Sequence, residues 1–103
     1  MKKIKFNPHS KKEYQQLEGS QKVFVNKGFD KIKANGMNVG ERLHGGLSDC
    51  NKLKNKKFGL RIVFREVEGD IEIIEIVAIG KRDKKEVYKN AEIRLEQGLE
   101  LLD

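Results

Sequence analysis

The segment from Ile71 to Ile79 constrains the fold more than any other part of the chain. Because successive side chains of a strand point to opposite faces, its apolar residues fall on both faces. One face carries Ile71, Ile73, Val77 and Ile79, and the other carries Ile74, Ile76 and Ala78. The turn sequence Glu68-Gly69-Asp70 precedes this segment and Gly80 follows it. The pattern predicts the central strand of a sheet, entered through a hairpin.

The flanking segments complete an α+β pattern. Ile4 to Asn7 predicts a short strand closed by Pro8. Alternation of polar and apolar residues predicts two further strands, one around Lys52-Leu53-Lys54 and one from Leu60 to Val67. The glycine-rich stretch Met37 to Asp49 is expected to be a connecting loop. The predicted order is β-α-α-β-β-β-α, an antiparallel-rich sheet with an N-terminal helical hairpin and a C-terminal helix on one side of it.

Capping signals and helical spacing place the three helices. The first is expected to begin at Ser10, because Ser10-Lys11-Lys12-Glu13 has the pattern of a capping box, and to end at Gly19. The second is predicted from about Ser20 to Ala34, with one apolar face. The third is predicted from Lys84 to Leu95, with Asp83 as its N-cap.

A chain of 103 residues is long enough for one domain and too short for two. We assign the domain to residues 1–95 and treat the acidic, leucine-rich residues 96–103 as an extension, either a continuation of the last helix or a tail. The single cysteine, Cys50, excludes an internal disulfide and a cysteine-cluster zinc site. No secretory signal is visible and the longest apolar run, Ile76 to Ile79, has four residues. We therefore expect a cytoplasmic protein that does not enter a membrane.

The charge balance indicates a polyanionic partner. Lysine and arginine number 22 against 16 acidic residues, which leaves a net charge of +6. Nucleic acid, an acidic membrane surface and an acidic protein would all suit this charge. A solvated, lysine-rich surface without a specific partner would produce the same balance.

The cations concentrate where the predicted strands could bring them together. Side chains two residues apart on a strand share a face, which applies to Lys52, Lys54 and Lys56 and to Arg61 and Arg65. A further cluster, between the central strand and the last helix, consists of Lys81, Arg82, Lys84 and Lys85. Such a cleft would hold a phosphodiester and stabilise the charge that develops when it is attacked. Alternating lysines also protect edge strands from aggregation, and spacing alone favours that simpler interpretation.

Other residues with catalytic chemistry form weaker patterns. Tyr88, early in the last helix, could stack on a base. His9 and His44 are far apart in sequence and are expected to be surface or capping residues. Cys50 has no histidine near it, so a buried thiol is the simpler interpretation. Glu86 could act as an acid or base, or pair with a lysine on its own helix.

Several segments resemble the RelE branch of the RelE/ParE superfamily, the toxins of bacterial type II toxin–antitoxin modules. They are Leu43-His44-Gly45, Asp49-Cys50-Asn51-Lys52-Leu53-Lys54, Gly59-Leu60-Arg61-Ile62-Val63-Phe64 and Ile79-Gly80-Lys81-Arg82-Asp83-Lys84-Lys85-Glu86-Val87-Tyr88. The resemblance implies a RelE-like fold and a ribosome-dependent messenger RNA endonuclease that cuts codons in the ribosomal A site. It implies no metal and no small-molecule cofactor.

The same resemblance implies the site residues. The catalytic positions fall on Lys52, Lys54, Arg61, Arg82 and Tyr88. Further RNA contacts are expected from Lys56, Lys57, Lys81, Lys84 and Lys85. In the implied mechanism a 2′-hydroxyl attacks the neighbouring phosphate, with Lys54 as the general base and Arg82 at the leaving oxygen. Lysine and arginine do not form a poised acid–base pair, so we expect negligible activity on naked RNA.

The superfamily also implies an inhibitor, a cognate acidic antitoxin, to which a basic toxin would bind through complementary charge. Two alternatives remain open at this point. A ParE-like gyrase poison would need no cleavage site, and a basic RNA-binding module would bind without catalysis.

Overall fold

The chain folds into five strands and three α-helices, and the structure, a computed structural model, describes all 103 residues. In chain order they are β1 (Lys3–Phe6), α1 (Pro8–Gln15), α2 (Gly19–Asn35), β2 (Glu41–Arg42), β3 (Cys50–Asn55), β4 (Leu60–Val67), β5 (Asp70–Lys81) and α3 (Glu86–Gln97). Short 3-10 turns occupy Gly36–Asn38, Gly45–Leu47 and Asp83–Lys85. No helix combines the length and the apolar composition that a membrane crossing needs.

The strands form one mixed sheet in the order β1-β5-β4-β3-β2. β1 runs parallel to β5, and the other neighbours are antiparallel. β5 has a partner on each side, so Ile71 to Ile79 lies in an interior strand, but the central position predicted for it belongs to β4. The α+β class is confirmed. The prediction that Met37 to Asp49 is only a loop was wrong, because two of its residues form β2 and pair with Lys52 and Asn51 of β3.

Helices cover both faces of the sheet, not one face as expected. Alternate residues of β4 belong to two apolar clusters on opposite faces of the sheet. Ile62 is in the cluster with Phe29 of α2, whereas Val63 is in the cluster with Val87 and Ala91 of α3. Both faces of the inner strands are apolar, so each face needs a helical cover. The helices therefore divide between the two faces.

A β-bulge changes the facing of residues along β5. Val63 of β4 is opposite Ala78 and Phe64 is opposite Ile76, so Val77 is an extra residue. Val77 and Ala78 consequently belong to the cluster under α3, whereas Ile79 belongs to the cluster under α2. The simple alternation predicted for Ile71 to Ile79 is therefore wrong beyond Ile76.

The first helix begins two residues earlier than predicted. Asn7 is its N-cap: the Asn7 side chain accepts a hydrogen bond from the Ser10 amide at 2.8 Å, and the Ser10 hydroxyl accepts one from the Asn7 amide at 3.0 Å. Pro8 occupies the first helical position, where its missing amide costs nothing. The capping box is real but uses Asn7 and Ser10, which leaves Glu13 free for another contact.

Glu13 belongs to a polar cluster that closes the open edge of β5. β1 pairs with β5 only as far as Ile76, so the next backbone groups need other partners. Glu13 accepts a hydrogen bond from the Ile79 amide at 3.0 Å, and Asn7 and Arg94 donate to the Val77 carbonyl at 2.9 and 3.1 Å. Arg94 also forms a two-pronged ion pair with Glu13, at 2.7 and 2.8 Å.

The last residues fold back onto β1. α3 ends at Gln97, and Gly98 has a left-handed backbone that turns the chain. Leu102 then exchanges two backbone hydrogen bonds with Phe6, at 2.7 and 2.6 Å, and the terminal Asp103 lies 3.5 Å from the ammonium of Lys5. Of residues 96–103, Glu96 and Gln97 therefore complete the helix, and the residues after Gly98 cover part of the outer edge of β1.

We expect Arg94→Met to lower the free energy of unfolding by about 3 kcal/mol, because it leaves the partly buried carboxylate of Glu13 without its charged partner. Urea denaturation followed by circular dichroism measures the change. Lys89→Met, which removes an exposed charge from the same helix, is the matched control and should cost less than about 0.5 kcal/mol. Equal losses in the two variants would show that the Glu13–Arg94 pair does not hold the helix in place.

Candidate active site

Strand pairing lines up a row of residues across the sheet. Lys54 of β3 is opposite Arg61 of β4, and Arg61 is opposite Gly80 of β5. Cross-strand partners project from the same face, which here is the face covered by α3. Lys52 shares this face because it is two residues from Lys54. Gly80 adds no side chain, and Val87 of α3 packs over it, since a Cβ there would lie 3.6 Å from the Val87 Cβ.

Arg61 is a buried cation with no acidic partner. It is 5% exposed, and its guanidinium donates to the backbone carbonyl of Leu60 at 3.0 Å. Its Nε has no hydrogen-bond partner, and none of the four ion pairs involves it. A buried charge without a counter-ion is costly, which makes Arg61 a candidate to contact an anion.

Two adjoining depressions share Arg61 and Arg82. The smaller, of about 260 Å³, is lined by Lys54, Lys56, Gly59, Arg61 and Arg82. The larger, of about 500 Å³, is lined by Lys52, Arg61, Arg82, Lys84, Lys85 and Tyr88. No acidic residue lines either depression. We call the two together the cationic cleft, and its composition suits a polyanion.

Tyr88 forms one wall of the cleft. It is half-buried against the cluster under α3, and the ammonium of Lys52 lies 5.8 Å from the centre of its ring. This cation–π contact keeps the ring and the lysine together while leaving part of the ring accessible. A base entering the cleft could stack on this ring.

The loop before α3 is strained. Lys84 and Lys85 both have a left-handed backbone, with φ of 53° and 59°, which side chains other than glycine rarely adopt. α3 therefore begins only at Glu86, and Asp83 is not its N-cap as predicted. The amide of Arg82 donates to the carbonyl of Gly59 at 2.9 Å, so the loop is held against the β3–β4 hairpin. This backbone conformation, although unfavourable, places the two lysines at the rim of the cleft.

One acidic side chain contacts the cleft from its rim. Glu41 on β2 forms an ion pair with Lys54, with 3.0 Å between Oε1 and Nζ. The hydrogen bond from Lys54 and its charge hold the pKa of Glu41 below its usual value, and Lys52 and Lys56 add to the effect. Gly40 permits the close approach of β2, because a Cβ there would overlap the carbonyl oxygen of Lys52. Nothing in the sequence marks Glu41, since its two-residue strand carries no periodic pattern.

The structure brings together most of the cations predicted for the site. The five residues predicted as catalytic, Lys52, Lys54, Arg61, Arg82 and Tyr88, all line the cleft. Of the predicted RNA contacts, Lys56, Lys84 and Lys85 line it too. Lys57 instead lies over the ring of Phe58, and Lys81 lines a separate depression that also contains Glu86. Arg65 lies outside the cleft, where Glu75 accepts its hydrogen bond at 3.1 Å.

The remaining candidates lie away from the cleft. His9 and His44 are exposed, and neither lines it. Cys50 is fully buried in the cluster under α3, and burial raises the pKa of its thiol to about 11. Nowhere do three or more His, Cys, Asp or Glu side chains converge as metal ligands would.

We expect Cys50 in the folded protein to react slowly with an aromatic disulfide reagent at pH 8. With a pKa of about 11, about one thiol in a thousand is ionised at that pH, and the thiolate is the reactive form. The rate should rise as the pH approaches 11, and the chain unfolded in urea should react at the rate of a free thiol. Rapid labelling of the folded protein at pH 8 would contradict the burial of this side chain.

We expect Arg61→Met to raise the free energy of unfolding by about 1 kcal/mol or more, because it removes a buried charge that has no partner. Arg82→Met, at an exposed cation of the same cleft, should change it by less than about 0.5 kcal/mol. Urea denaturation of the three proteins measures both effects. Destabilisation by Arg61→Met would show that the guanidinium stabilises the fold.

Comparisons with known proteins show which family shares this sequence and fold. No protein-family model matches the chain. A RelE-like toxin protein of Escherichia coli is 32% identical over 92 residues, which cover 89% of this chain and 95% of that protein. The mRNA interferase toxin RelE of E. coli K12 is also 32% identical, over 50 residues that cover 48% of this chain and 52% of that toxin.

Solved structures of RelE share the fold. A mutant of E. coli toxin RelE in the free state superposes with a TM-score of 0.74 at 22% identity, over 89% of this chain and 95% of that one. The same mutant in complex with a peptide of the antitoxin RelB superposes with a TM-score of 0.69, over 87% of this chain and 93% of that one. The fold and the curated relatives together define a toxin of the RelE/ParE superfamily. The chain belongs to the RelE branch.

Proposed function

We propose that the chain is the toxin of a type II toxin–antitoxin module and cuts messenger RNA in the ribosomal A site, in the cytoplasm. The observation that carries this proposal is Arg61, a buried cation without a counter-ion between Lys54 and Arg82. A phosphodiester supplies the missing counter-charge, and further negative charge develops on its oxygens as the phosphorus is attacked. A curated relative named mRNA interferase toxin RelE supports the same conclusion.

The proposed reaction needs only the RNA and side chains of the cleft. The 2′-hydroxyl oxygen bonds to the adjacent phosphorus, and the bond to the 5′-oxygen of the next nucleotide breaks. The products are a 2′,3′-cyclic phosphate and a free 5′-hydroxyl. In this step Lys54, once it has lost its own ammonium proton, takes the proton from the 2′-hydroxyl, and Lys52 and Arg61 hold the phosphate oxygens. Arg82 stabilises the departing 5′-oxygen, which takes up the proton that Lys54 removed, relayed through water. Tyr88 stacks on the base.

Dependence on the ribosome follows from what the cleft contains. Its ionisable side chains are lysines, arginines and one tyrosine. It contains no histidine or carboxylate, the side chains that most often act as general bases. Alignment of the 2′-hydroxyl with the phosphate must therefore supply much of the rate, and the ribosome provides that alignment for the codon it holds.

We also propose an acidic antitoxin as the partner that silences the toxin. The chain carries a net charge of +6, and a related RelE is known in complex with an antitoxin peptide. Complementary charge would speed association and favour that partner over neutral proteins. An antitoxin that covers the cleft would neutralise the cations that hold the RNA.

The test is inducible expression in bacteria of the wild type, Arg82→Ala and Lys89→Ala, followed by primer extension on a translated message. We expect growth arrest and cuts within codons for the wild type and for Lys89→Ala. Loss of Arg82 should reduce cutting by about 100-fold or more, because it removes a cation from the transition state. The cuts should also disappear when translation of the message is blocked.

Two results would overturn the proposal. Growth arrest without cuts in the message would indicate a protein target such as gyrase. Binding to RNA without cutting on or off the ribosome, by a protein that does not arrest growth, would indicate a basic binding module.

A further inference from the structure

Glu41 is the one carboxylate that forms an ion pair with a cation of the cleft. The other three ion pairs of the structure, Lys5–Asp103, Arg65–Glu75 and Arg94–Glu13, lie elsewhere. No acidic residue lines the cleft itself. The carboxylate therefore stands at the rim of a surface that is otherwise cationic, beside the lysine proposed as the base.

The backbone holds Glu41 in this place. Glu41 is opposite Lys52 across the β2–β3 pair, and its side chain reaches diagonally to Lys54. Gly40, with φ of +84°, lets the backbone of β2 approach Lys52 closely. Because its pKa is lowered by Lys54, Glu41 remains a carboxylate at neutral pH. Lys54 thus has an anionic partner whenever the cleft is empty.

We propose that Glu41 is a built-in competitor for RNA phosphate, occupying Lys54 in the free protein and giving it up when RNA binds. The inference rests on the proposed function, because it requires RNA phosphates to enter the cleft. A carboxylate oxygen and a phosphate oxygen accept the same hydrogen bond from an ammonium group. The ammonium has three N–H donors, so the competition is for its charge and for the position 3.0 Å from Lys54 Nζ that the carboxylate occupies.

The exchange is feasible because the pair is exposed. The Glu41 and Lys54 side chains are 57% and 36% exposed, and ion pairs of this kind are weak. An RNA that contacts Arg61, Arg82 and Lys52 at the same time can displace the carboxylate from Lys54. An RNA that touches only the rim meets a negative charge there. Glu41 therefore weakens loose binding to bulk RNA and favours a substrate seated across the whole cleft.

The test measures the binding of a fluorescent RNA oligonucleotide that carries 2′-O-methyl groups and so cannot be cleaved by 2′-hydroxyl attack. Fluorescence anisotropy gives the dissociation constant for the wild type, Glu41→Gln and Glu72→Gln over a range of salt concentrations. Glu72 is the matched control: it is exposed, it forms no ion pair, and it lies near the start of β5, at the opposite end of the strand from Gly80. Both variants change the net charge equally.

We expect Glu41→Gln to bind the RNA about two- to fivefold more tightly at low salt, as the strength of an exposed ion pair implies. The affinity of Glu41→Gln should also fall more steeply with salt. In the wild type, RNA binding frees the Glu41 carboxylate, which then takes up a cation from solution and so reduces the net release of cations. Glu72→Gln should match the wild type. In a Lys54→Met background the gain from Glu41→Gln should vanish, since the competition requires the lysine. Thermal unfolding checks that each variant is folded.

The outcomes separate this inference from the proposed function. No gain in Glu41→Gln, an equal gain in Glu72→Gln, or a gain that persists without Lys54 would overturn the competition and leave the RNA site intact. If Lys54→Met and Arg61→Met both bind the RNA as well as the wild type does, RNA does not occupy the cleft. That result would overturn the proposed function together with the inference.

Discussion

The unequal lengths of β1 and β5 impose the constraint on which the rest of the structure depends. β5 has twelve residues and β1 only four, so the second half of β5 would present bare backbone groups at an edge. Asn7, Glu13 and Arg94 supply the missing partners. Because Arg94 is on α3 and Glu13 is on α1, the same hydrogen bonds tie helices from both ends of the chain to one strand. This attachment fixes α3 over the sheet, and with it the position of Tyr88 beside Lys52.

The cleft concentrates features that oppose folding. Arg61 is buried without a counter-ion, Lys84 and Lys85 have unfavourable backbone conformations, and several lysines face one another across a small space. The two apolar clusters on either face of the sheet and the polar cluster at the edge of β5 offset that cost. A buried cation without a counter-ion suits the proposed binding of a phosphodiester in the cleft. Glu41 relieves part of the repulsion at the rim while the cleft is empty.

Local signals in the sequence located most of the elements but not their ends. The capping pattern at Ser10-Lys11-Lys12-Glu13 looked complete by itself, yet Asn7 caps the helix, because Glu13 is drawn to the Ile79 amide, 66 positions along the chain. Asp83 looked like an N-cap, but the left-handed Lys84 and Lys85 delay the helix. The alternation of residues along β5 does not reveal the bulge at Val77, because apolar residues precede and follow it on both faces. The Glu13 contact and the bulge involve residues distant in sequence, whereas the late start of α3 comes from a backbone conformation that side chains other than glycine rarely adopt.

The sequence by itself determined the α+β class, the interior strand, the helical faces and the cations that gather in the cleft, because hydrophobic period and side-chain spacing act over a few residues. Resemblance to RelE indicated five residues. Strand register brings Lys52, Lys54 and Arg61 to one face, and the loop before α3 and α3 itself add Arg82 and Tyr88 beside them. Only the tertiary structure decided that helices cover both faces, that the tail folds back onto β1, and that Arg61 is buried without a partner. It alone placed Glu41 against Lys54. These features depend on register and on long-range pairing, which a linear pattern does not encode.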